Sequence, residues 1–276
     1  MAELTVKGYQ LIDLIGHGAG SEVYKARQMR TGNVVALKIV RRNSTDSGRQ
    51  FRQLANEYKV ARHWTHPNLI RLYELVTGRL LLWKLQVALV MEYVEGEMLT
   101  GAREATPEEF VRIYAQLADA MQYMHQHGYV HLDMKPQNVI VTPEGEAKIM
   151  DFGLCTRKGR YNPRVQGTPD FMAPEQLGKG WVDERTDIYN LGATMFHVVT
   201  GKSVQMTLTS RLNNHGGASV TSETFQSLSV EVPEELQSLM LESCRPGPAE
   251  RPATMTRVLE RLDAINQGLK ARQAPG

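Results

Sequence analysis

From Tyr129 to Asn138 the chain reads Tyr-Val-His-Leu-Asp-Met-Lys-Pro-Gln-Asn, and Asp151-Phe152-Gly153 follows a short way beyond. These stretches set two carboxylates, an ammonium and a carboxamide between apolar runs, which is too much polar chemistry for a core. Val139 to Val141 and Ala147 to Met150 read as strands joined by Thr142-Pro143-Glu144-Gly145-Glu146, a hairpin that folds Asp151 back towards Asn138. A carboxylate and a carboxamide so placed are hard oxygen donors, suited to Mg²⁺ on the phosphates of a nucleotide. Asp133 and Lys135, two apart on an irregular loop, can face an incoming hydroxyl: the carboxylate accepts its proton and the ammonium neutralises phosphoryl oxygens. The chemistry these residue types suit is phosphoryl transfer.

Other elements must position them. Tyr9 to Ile15 is strand-like, then comes Gly16-His17-Gly18-Ala19-Gly20-Ser21-Glu22-Val23, then a second strand through Tyr24 and Ala26. Glycines in such a turn let backbone N–H groups approach phosphate oxygens, although a plain flexible hairpin would read the same way. Val34 to Val40 is an apolar strand interrupted by Lys38, and a buried ammonium needs a partner. Phe51, Leu54, Tyr58 and Ala61 follow helical spacing, which turns Glu57 inward beside that stripe. Leu69 to Val76 and Val87 to Tyr93 read as further strands. Thr77 to Gln86 between them is more apolar than a turn requires, so it is either a tucked loop or a partner patch.

The second half opens on a marked helix: Thr106 as N-cap, Pro107 at the first position, Glu109 completing a capping box, and Gly128 as the stop. Phe110, Ile113, Tyr114, Leu117, Met121 and Met124 form its apolar stripe. His125, His127 and His131 lack the thiolate or carboxylate company of a metal cluster. An apolar helix runs from Asp187 to about Val199 and stops at Gly201, and a closing amphipathic helix spans Met255 to Leu269, with Gln273 to Gly276 read as either a frayed tail or the cut end of a longer protein. Residues 203 to 229, rich in Ser, Thr, Asn and Gly, look loop-like.

Taken together in this order, the stretches resemble the eukaryotic-like (Hanks-type) serine/threonine protein kinases over roughly residues 9 to 265, and among them the compact bacterial group most. The resemblance implies an α+β, bilobal fold for one kinase domain at 1–276. A small antiparallel sheet lobe with one helix would occupy 1–94, with a hinge at about 92–96 and a larger, mainly helical lobe at 97–276. It implies ATP and Mg²⁺ as cofactors and transfer to serine or threonine of protein substrates, self-phosphorylation included.

By the same resemblance Ile15, Gly16, Gly18, Val23 and Ala36 surround the nucleotide, and Lys38, paired with Glu57, meets its α and β phosphates. Backbone at Glu92 and Val94 meets the adenine, Met91 guards the rear pocket, and Asn138 and Asp151 hold the metal. Asp133 orients the hydroxyl, with Lys135 and Thr168 touching it. His131 props the loop, Asp187 accepts from the loop backbone, and Arg251 pairs with Glu175. Gly167 to Glu175 resembles the peptide-docking element of this family.

The chain departs from the family pattern in three places. Ser21 stands where a third glycine is usual, with Gly20 one place early, and Phe171 replaces a tyrosine. Leu132 replaces the arginine that ties the catalytic loop to a phosphate on the activation segment, so activity independent of such a phosphate is expected.

Composition bounds the rest. A net charge of +2 in 276 residues makes no bulk electrostatic case for nucleic acid or membrane. No apolar run approaches the ~18 residues of a span; with Cys155 and Cys244 alone as thiols, a cytoplasmic protein is expected. Cys155 could be redox-sensitive or merely a buried, inert thiol. Arg157, Lys158, Arg160 and Arg164 form a basic stretch that could attract acidic peptides or be a solvated loop. Two other classes remain open: a nucleotide-binding pseudokinase scaffold, which Ser21 and Leu132 keep in play, and a small-molecule phosphotransferase, which would not need the stretch from Gly167 to Glu175.

Overall fold

Burial on both faces of Val34–Arg41, where Val35, Ala36, Leu37, Ile39 and Val40 are all buried, marks the central strand of the first sheet. The computed structural model describes residues 6–18, 20–42, 47–80, 84–100, 106–162, 164–178, 180–204, 225 and 232–273. Two compact units arise, one of Met1–Glu95 with Asp151–Leu154, the other of Gly96–Met150 with Cys155–Gly276.

The first unit holds strands β1 (Tyr9–Gly18), β2 (Ser21–Gln28) and β3 (Val34–Arg41), helix α1 (Ser47–Ala61), and strands β4 (Leu72–Leu80) and β5 (Lys84–Glu92). The strands form an antiparallel sheet in the order β1-β2-β3-β5-β4. Val35, Leu37 and Ile39 of β3 are buried with Val6, Tyr9, Ala26, Ala88 and Val90 as one apolar cluster. Because side chains alternate across a strand, Ala36 and Lys38 must lie on the opposite face.

Three readings change in this unit. The strands β1 and β2 reach into the glycine stretch, with Gly16 opposite Val23, His17 opposite Glu22 and Gly18 opposite Ser21. A ladder uses only backbone N–H and C=O, which glycine supplies as well as any residue. Over its described residues Thr77 to Gln86 is strand rather than a tucked loop: Gly78 pairs with Gln86, Arg79 with Leu85 and Leu80 with Lys84, extending the β4–β5 hairpin. Leu81, Leu82 and Trp83 lie outside the described residues. The β4 strand starts at Leu72, since Leu69 is still in a turn that donates to the His66 carbonyl at 3.2 Å.

The second unit begins with β6 (Glu97–Met98) and α2 (Pro107–Gln126), followed by β7 (Tyr129–Val130), β8 (Val139–Val141), β9 (Ala147–Ile149), β10 (Thr156–Arg157) and β11 (Arg160–Tyr161). It ends with the short α3 (Pro174–Leu177), β12 (Trp181–Val182), α4 (Glu184–Thr200), α5 (Glu234–Ser243) and α6 (Met255–Gln273). Its sheets are β6-β8-β9, β7 with β10, and β11 with β12. The Thr106 hydroxyl accepts from the Glu109 N–H while the Glu109 carboxylate accepts from the Thr106 N–H, a reciprocal cap of α2 that contributes about 1 kcal/mol. All six stripe residues of α2 are buried, and Phe110, Ile113, Leu117, Met121 and Met124 are each stabilised by about 1.5–3 kcal/mol on leaving water.

The helix α4 is buried nearly all round, as expected of a core helix. It starts at Glu184 rather than Asp187, because the Asp183 carboxylate caps it by accepting the Arg185 N–H at 2.8 Å. It ends at Gly201, whose φ of 68° few side chains tolerate. Met255, Val258, Leu262, Ile265 and Leu269 bury one face of α6, which packs along α2 and runs on to Gln273. Most of 203–229 and all of 274–276 fall outside the described residues.

Candidate active site

Register assembles the nucleotide-side candidates. Gly16 lies opposite Val23, and Val23 opposite Lys38, so these three stand abreast across β1, β2 and β3. Ala36, two positions from Lys38, lies opposite Met91 of β5. Residues directly opposite one another, or two apart along a strand, share a face. Val23, Ala36, Lys38 and Met91 therefore line one side of the sheet. Ile15 is 44% exposed on β1, an aliphatic side chain without a full packing partner in its unit. The Glu92 N–H donates to the Arg71 carbonyl at 2.9 Å. Val94 lies two residues beyond the end of β5 and is partly exposed.

The glycine stretch closes tightly. A Cβ at Gly18 would lie 2.6 Å from the Ser21 hydroxyl, so the serine and the glycine fit as a pair. Gly20 has a φ of +85°, open to glycine at little cost, and the Gln50 side chain of α1 sits where its Cβ would be.

Lys38 is where the strand meets the helix. Its Nζ lies 3.0 Å from Glu57 Oε2 and 3.0 Å from Asp151 Oδ1. Burial opposes the charge on Lys38, but the Glu57 and Asp151 carboxylates outweigh it and hold the ammonium well above its ordinary pKa. Burial in turn pushes the fully enclosed Glu57 carboxyl up, against the pull of Lys38. The second Glu57 oxygen accepts the Phe152 N–H at 3.2 Å, and Phe152 packs edge-on against Trp64 with centroids 5.4 Å apart. Glu57 thus holds both the lysine and the Asp151-Phe152-Gly153 segment, a double role that helical spacing alone does not reveal. Asp151 adopts a φ of 64°, and Gly153 donates to its Oδ1 at 3.3 Å.

In the second unit four donors converge on Asp133. Lys135 Nζ lies 3.1 Å from Oδ2, Asn138 Nδ2 3.3 Å from Oδ2, and the Thr168 N–H and hydroxyl 3.2 and 3.3 Å from Oδ1. Lys135 also donates to the Thr168 hydroxyl at 2.7 Å. The Asn138 amide nitrogen bonds the Asp133 carbonyl at 2.7 Å as well, which turns its amide oxygen away from that loop. Met150 donates to the Asn138 carbonyl at 2.9 Å, closing the β8–β9 hairpin at its base.

The loop that carries Asp133 is held from beneath. Asp187, wholly buried, accepts the His131 N–H at 2.8 Å, the Leu132 N–H at 2.9 Å and His125 Nε2 at 2.7 Å. His131 Nδ1 accepts the Asp133 N–H at 3.2 Å, which assigns the ring proton to Nε2. Leu132 takes a φ of 67°, costly for a branched side chain and tolerated only where neighbours over-determine it. Two of those neighbours escaped the sequence reading. Gln176 Nε2 donates to the Leu132 carbonyl at 2.8 Å, and Asn190 Nδ2 bonds both Gln176 Oε1 at 2.8 Å and the Phe171 carbonyl at 2.6 Å. The signal available was a carboxamide, Asn190, alone between Tyr189 and Leu191 in an otherwise apolar helix. His125 likewise serves Asp187 rather than a metal.

Arg251 and Glu175 form the anchor of this segment. The guanidinium meets both Glu175 oxygens at 2.7 and 2.9 Å and also the carbonyls of Arg185, Arg245 and Pro246. Its side chain is fully buried, so removing one partner strands the other. Arg251→Met should destabilise the fold by about 3–5 kcal/mol, read as a lower midpoint in urea unfolding; a midpoint shift of a few tenths of that would show the pair to be dispensable.

Both cysteines are free and buried. Burial pushes the Cys244 thiol up to about 12, so it stays protonated and unreactive at neutral pH. For Cys155, burial favours the inert alternative over a redox sensor.

A family model described as Protein kinase domain matches residues 9–261, and the chain belongs to that family. Its curated relatives include a probable serine/threonine-protein kinase of Clostridium perfringens, 27% identical over 274 residues, which cover 94% of this chain and 38% of that protein. Serine/threonine-protein kinase PrkC of Bacillus subtilis is 31% identical over 202 residues, 70% of this chain and 30% of its own. CBL-interacting protein kinase 12 of Oryza sativa subsp. japonica is 31% identical over 207 residues, 71% of this chain and 37% of its own. The chain spans less than half the length of each. Among the described residues no helix is long and apolar enough to cross a membrane.

Proposed function

We propose that this chain transfers the γ-phosphoryl group of ATP to serine and threonine hydroxyls of protein substrates in the cytoplasm. The observation that carries the reading is the Asp133 carboxylate, held by Lys135, Asn138 and Thr168 in a geometry that fixes its aim. In this reading Asp133 orients the hydroxyl and accepts its proton, while Lys135 neutralises charge on the moving phosphoryl group. Lys38, kept charged by its two carboxylates, binds the α and β phosphates, with the face shared by Val23, Ala36 and Met91 against the base.

Asn138 and Asp151 are the proposed ligands of Mg²⁺, an all-oxygen pair of the hardness that ion prefers. Bound there, the ion would neutralise charge on the nucleotide phosphates. All of these positions keep their functional groups, which favours turnover over a scaffold.

The test is label from γ-labelled ATP offered with a generic basic protein. Label on serine and threonine, abolished by a chelator and restored by Mg²⁺, is the expected result. Leu132 gives a second readout: any label the chain places on itself can be removed by phosphatase without loss of activity. Silence towards every protein, with ATP still raising the melting temperature, would favour a nucleotide-binding scaffold.

A further inference from the structure

Helix α1 carries more polar chemistry than its Glu57 alone. Gln50, Gln53 and Glu57 fall three and four residues apart, so they line one stripe of the helix, with Asn56 at its edge. Each part of the stripe touches a different part of the nucleotide site. Glu57 holds Lys38 and the Phe152 N–H. Gln53 lies against Gly153, where a Cβ would come 2.7 Å from the Gln53 Cγ, and Asn56 Nδ2 reaches the Gly153 carbonyl at 3.4 Å. Gln50, at the far end, fills the place a side chain on Gly20 would take.

The lengths agree. From Gln50 to Glu57 the helix rises about 10 Å. From Val23, which stands opposite Lys38, back to Gly20 the extended chain also covers about 10 Å. The stripe is therefore long enough to reach from the Lys38 pair to the turn of the β1–β2 hairpin.

Gly20 is shaped as a socket for it. With a φ of +85°, the direction a side chain would take points at α1, and the Gly20 N–H is already committed to the Gly18 carbonyl at 2.7 Å. The Gln50 carboxamide can seat against this turn only because no Cβ is there. The order of Gly20 and Ser21 acquires a reason: the serine hydroxyl closes on Gly18, and the glycine before it makes room for Gln50.

We infer that Gln50 is a positioning residue whose carboxamide, seated at Gly20, latches the glycine-rich turn to α1 and holds it ready over the nucleotide phosphates. This rests on the kinase reading, through its nucleotide site. A loop already held in its bound position need not be ordered when the ligand arrives. Only ligands with a phosphate chain gain from it. Adenosine, which needs just the face of Val23, Ala36 and Met91, does not.

The test measures affinity for ATP with Mg²⁺ by calorimetry and for adenosine by competition, on the whole chain, beside label transfer. Gln50→Ala should weaken ATP about tenfold and leave adenosine as in the wild type. In transfer, the loss should appear in KM for ATP more than in kcat. Gly20→Ala, whose methyl displaces the carboxamide, should lose at least as much. The double variant should lose no more than Gly20→Ala alone, since both changes break one contact.

Equal losses for ATP and adenosine would make Gln50 a structural residue of α1 and overturn the latch. A double variant whose loss is the product of the two single losses would do the same. Unchanged ATP affinity in Gln50→Ala, with transfer intact, would overturn the latch and leave the kinase reading standing. The expected split between ATP and adenosine, without any transfer, would keep the latch and remove the kinase reading. A wild type that binds neither ligand would remove both.

Discussion

Asp133→Asn lowers the rate of label transfer by about three orders of magnitude, within the 10²–10⁴-fold range of a positioned general base, while ATP affinity and the melting curve change little. The substitution keeps the size of the side chain and one carbonyl oxygen, which can still accept from the Thr168 N–H. It places an amide NH₂ where Lys135 and Asn138 donate to Oδ2, so donors face donors on that side and the aim of the group is lost. The side chain is partly solvated, and water can satisfy the displaced hydrogen bonds without unfolding the loop. ATP affinity is expected to stand because Lys38, Val23, Ala36 and Met91 belong to the other unit and do not depend on Asp133 for their register.

The kinetic signature matters as much as the size. An interaction made chiefly in the transition state lowers kcat and kcat/KM together, whereas a lost binding contact raises KM alone. A variant with unchanged kcat and a raised KM would demote Asp133 to substrate binding. Equal turnover would remove it from the mechanism. Thr168 offers an internal check, since it touches both Asp133 and Lys135; loss of that hydroxyl disturbs the aim of the carboxylate but leaves its basicity in place.

Much of the fold was legible because it follows from periodicity. The α2 stripe, its capping box and its glycine stop are local signals, each read within a few residues of the feature it controls. The extended β4–β5 hairpin was not, since Thr77 to Gln86 alternates poorly and its pairing is decided by a partner strand, not by its own composition. Glycine misled in the same way at Gly16 and Gly18: low strand propensity is an entropic tendency, and a neighbour already in register overrides it.

The candidate site divides along the same line. Residue types named Lys38, Glu57, Asp133, Asn138 and Asp151, because each is a polar group inside an apolar setting. What sequence does not encode locally is the backbone that aims them. Leu132 and Asp151 both occupy the left-handed region, which glycine or asparagine would have announced and which leucine conceals. Only the tertiary bonds from Asp187 and Gln176 to the Leu132 backbone show how that strain is held. The replacement of an arginine by Leu132 gains a similar explanation, since its side chain packs with Val130 and Val182 under β12. An apolar contact there ties the loop to the β11–β12 ladder, a connection that needs no phosphate.

Lys38→Met carries the second large effect, and it should depend on pH. In the native unit the ammonium sits 3.0 Å from both Glu57 and Asp151. Methionine fills similar space but leaves Glu57, which is 1% exposed, without its cation. Stranding one member of a buried pair costs about 3–5 kcal/mol, whereas the more exposed Asp151 loses much less. The carboxyl can escape part of that cost by keeping its proton. Burial already pushes Glu57 above its ordinary 4.5, and Lys38 is the main force holding it down, so the variant raises it further.

The sign then follows. A carboxyl whose folded pKa lies above its unfolded one holds a proton that the unfolded chain has released, so folding is favoured at low pH and loses stability as pH rises through the folded value. The gap in urea midpoint between Lys38→Met and wild type should therefore be narrower at acidic pH and widen as the pH is raised. Adding Glu57→Gln should close most of the gap at the higher pH, because the amide needs no cation and can still accept the Phe152 N–H through its oxygen. Transfer stays about 10²–10³-fold down in the single and the double variant alike, since neither supplies a charge for the phosphates. A gap of the same width across the pH range, or no recovery in the double variant, would mean that Glu57 is not the group the lysine stabilises. Full transfer in Lys38→Met would take the lysine out of nucleotide binding and leave it a structural partner of α1.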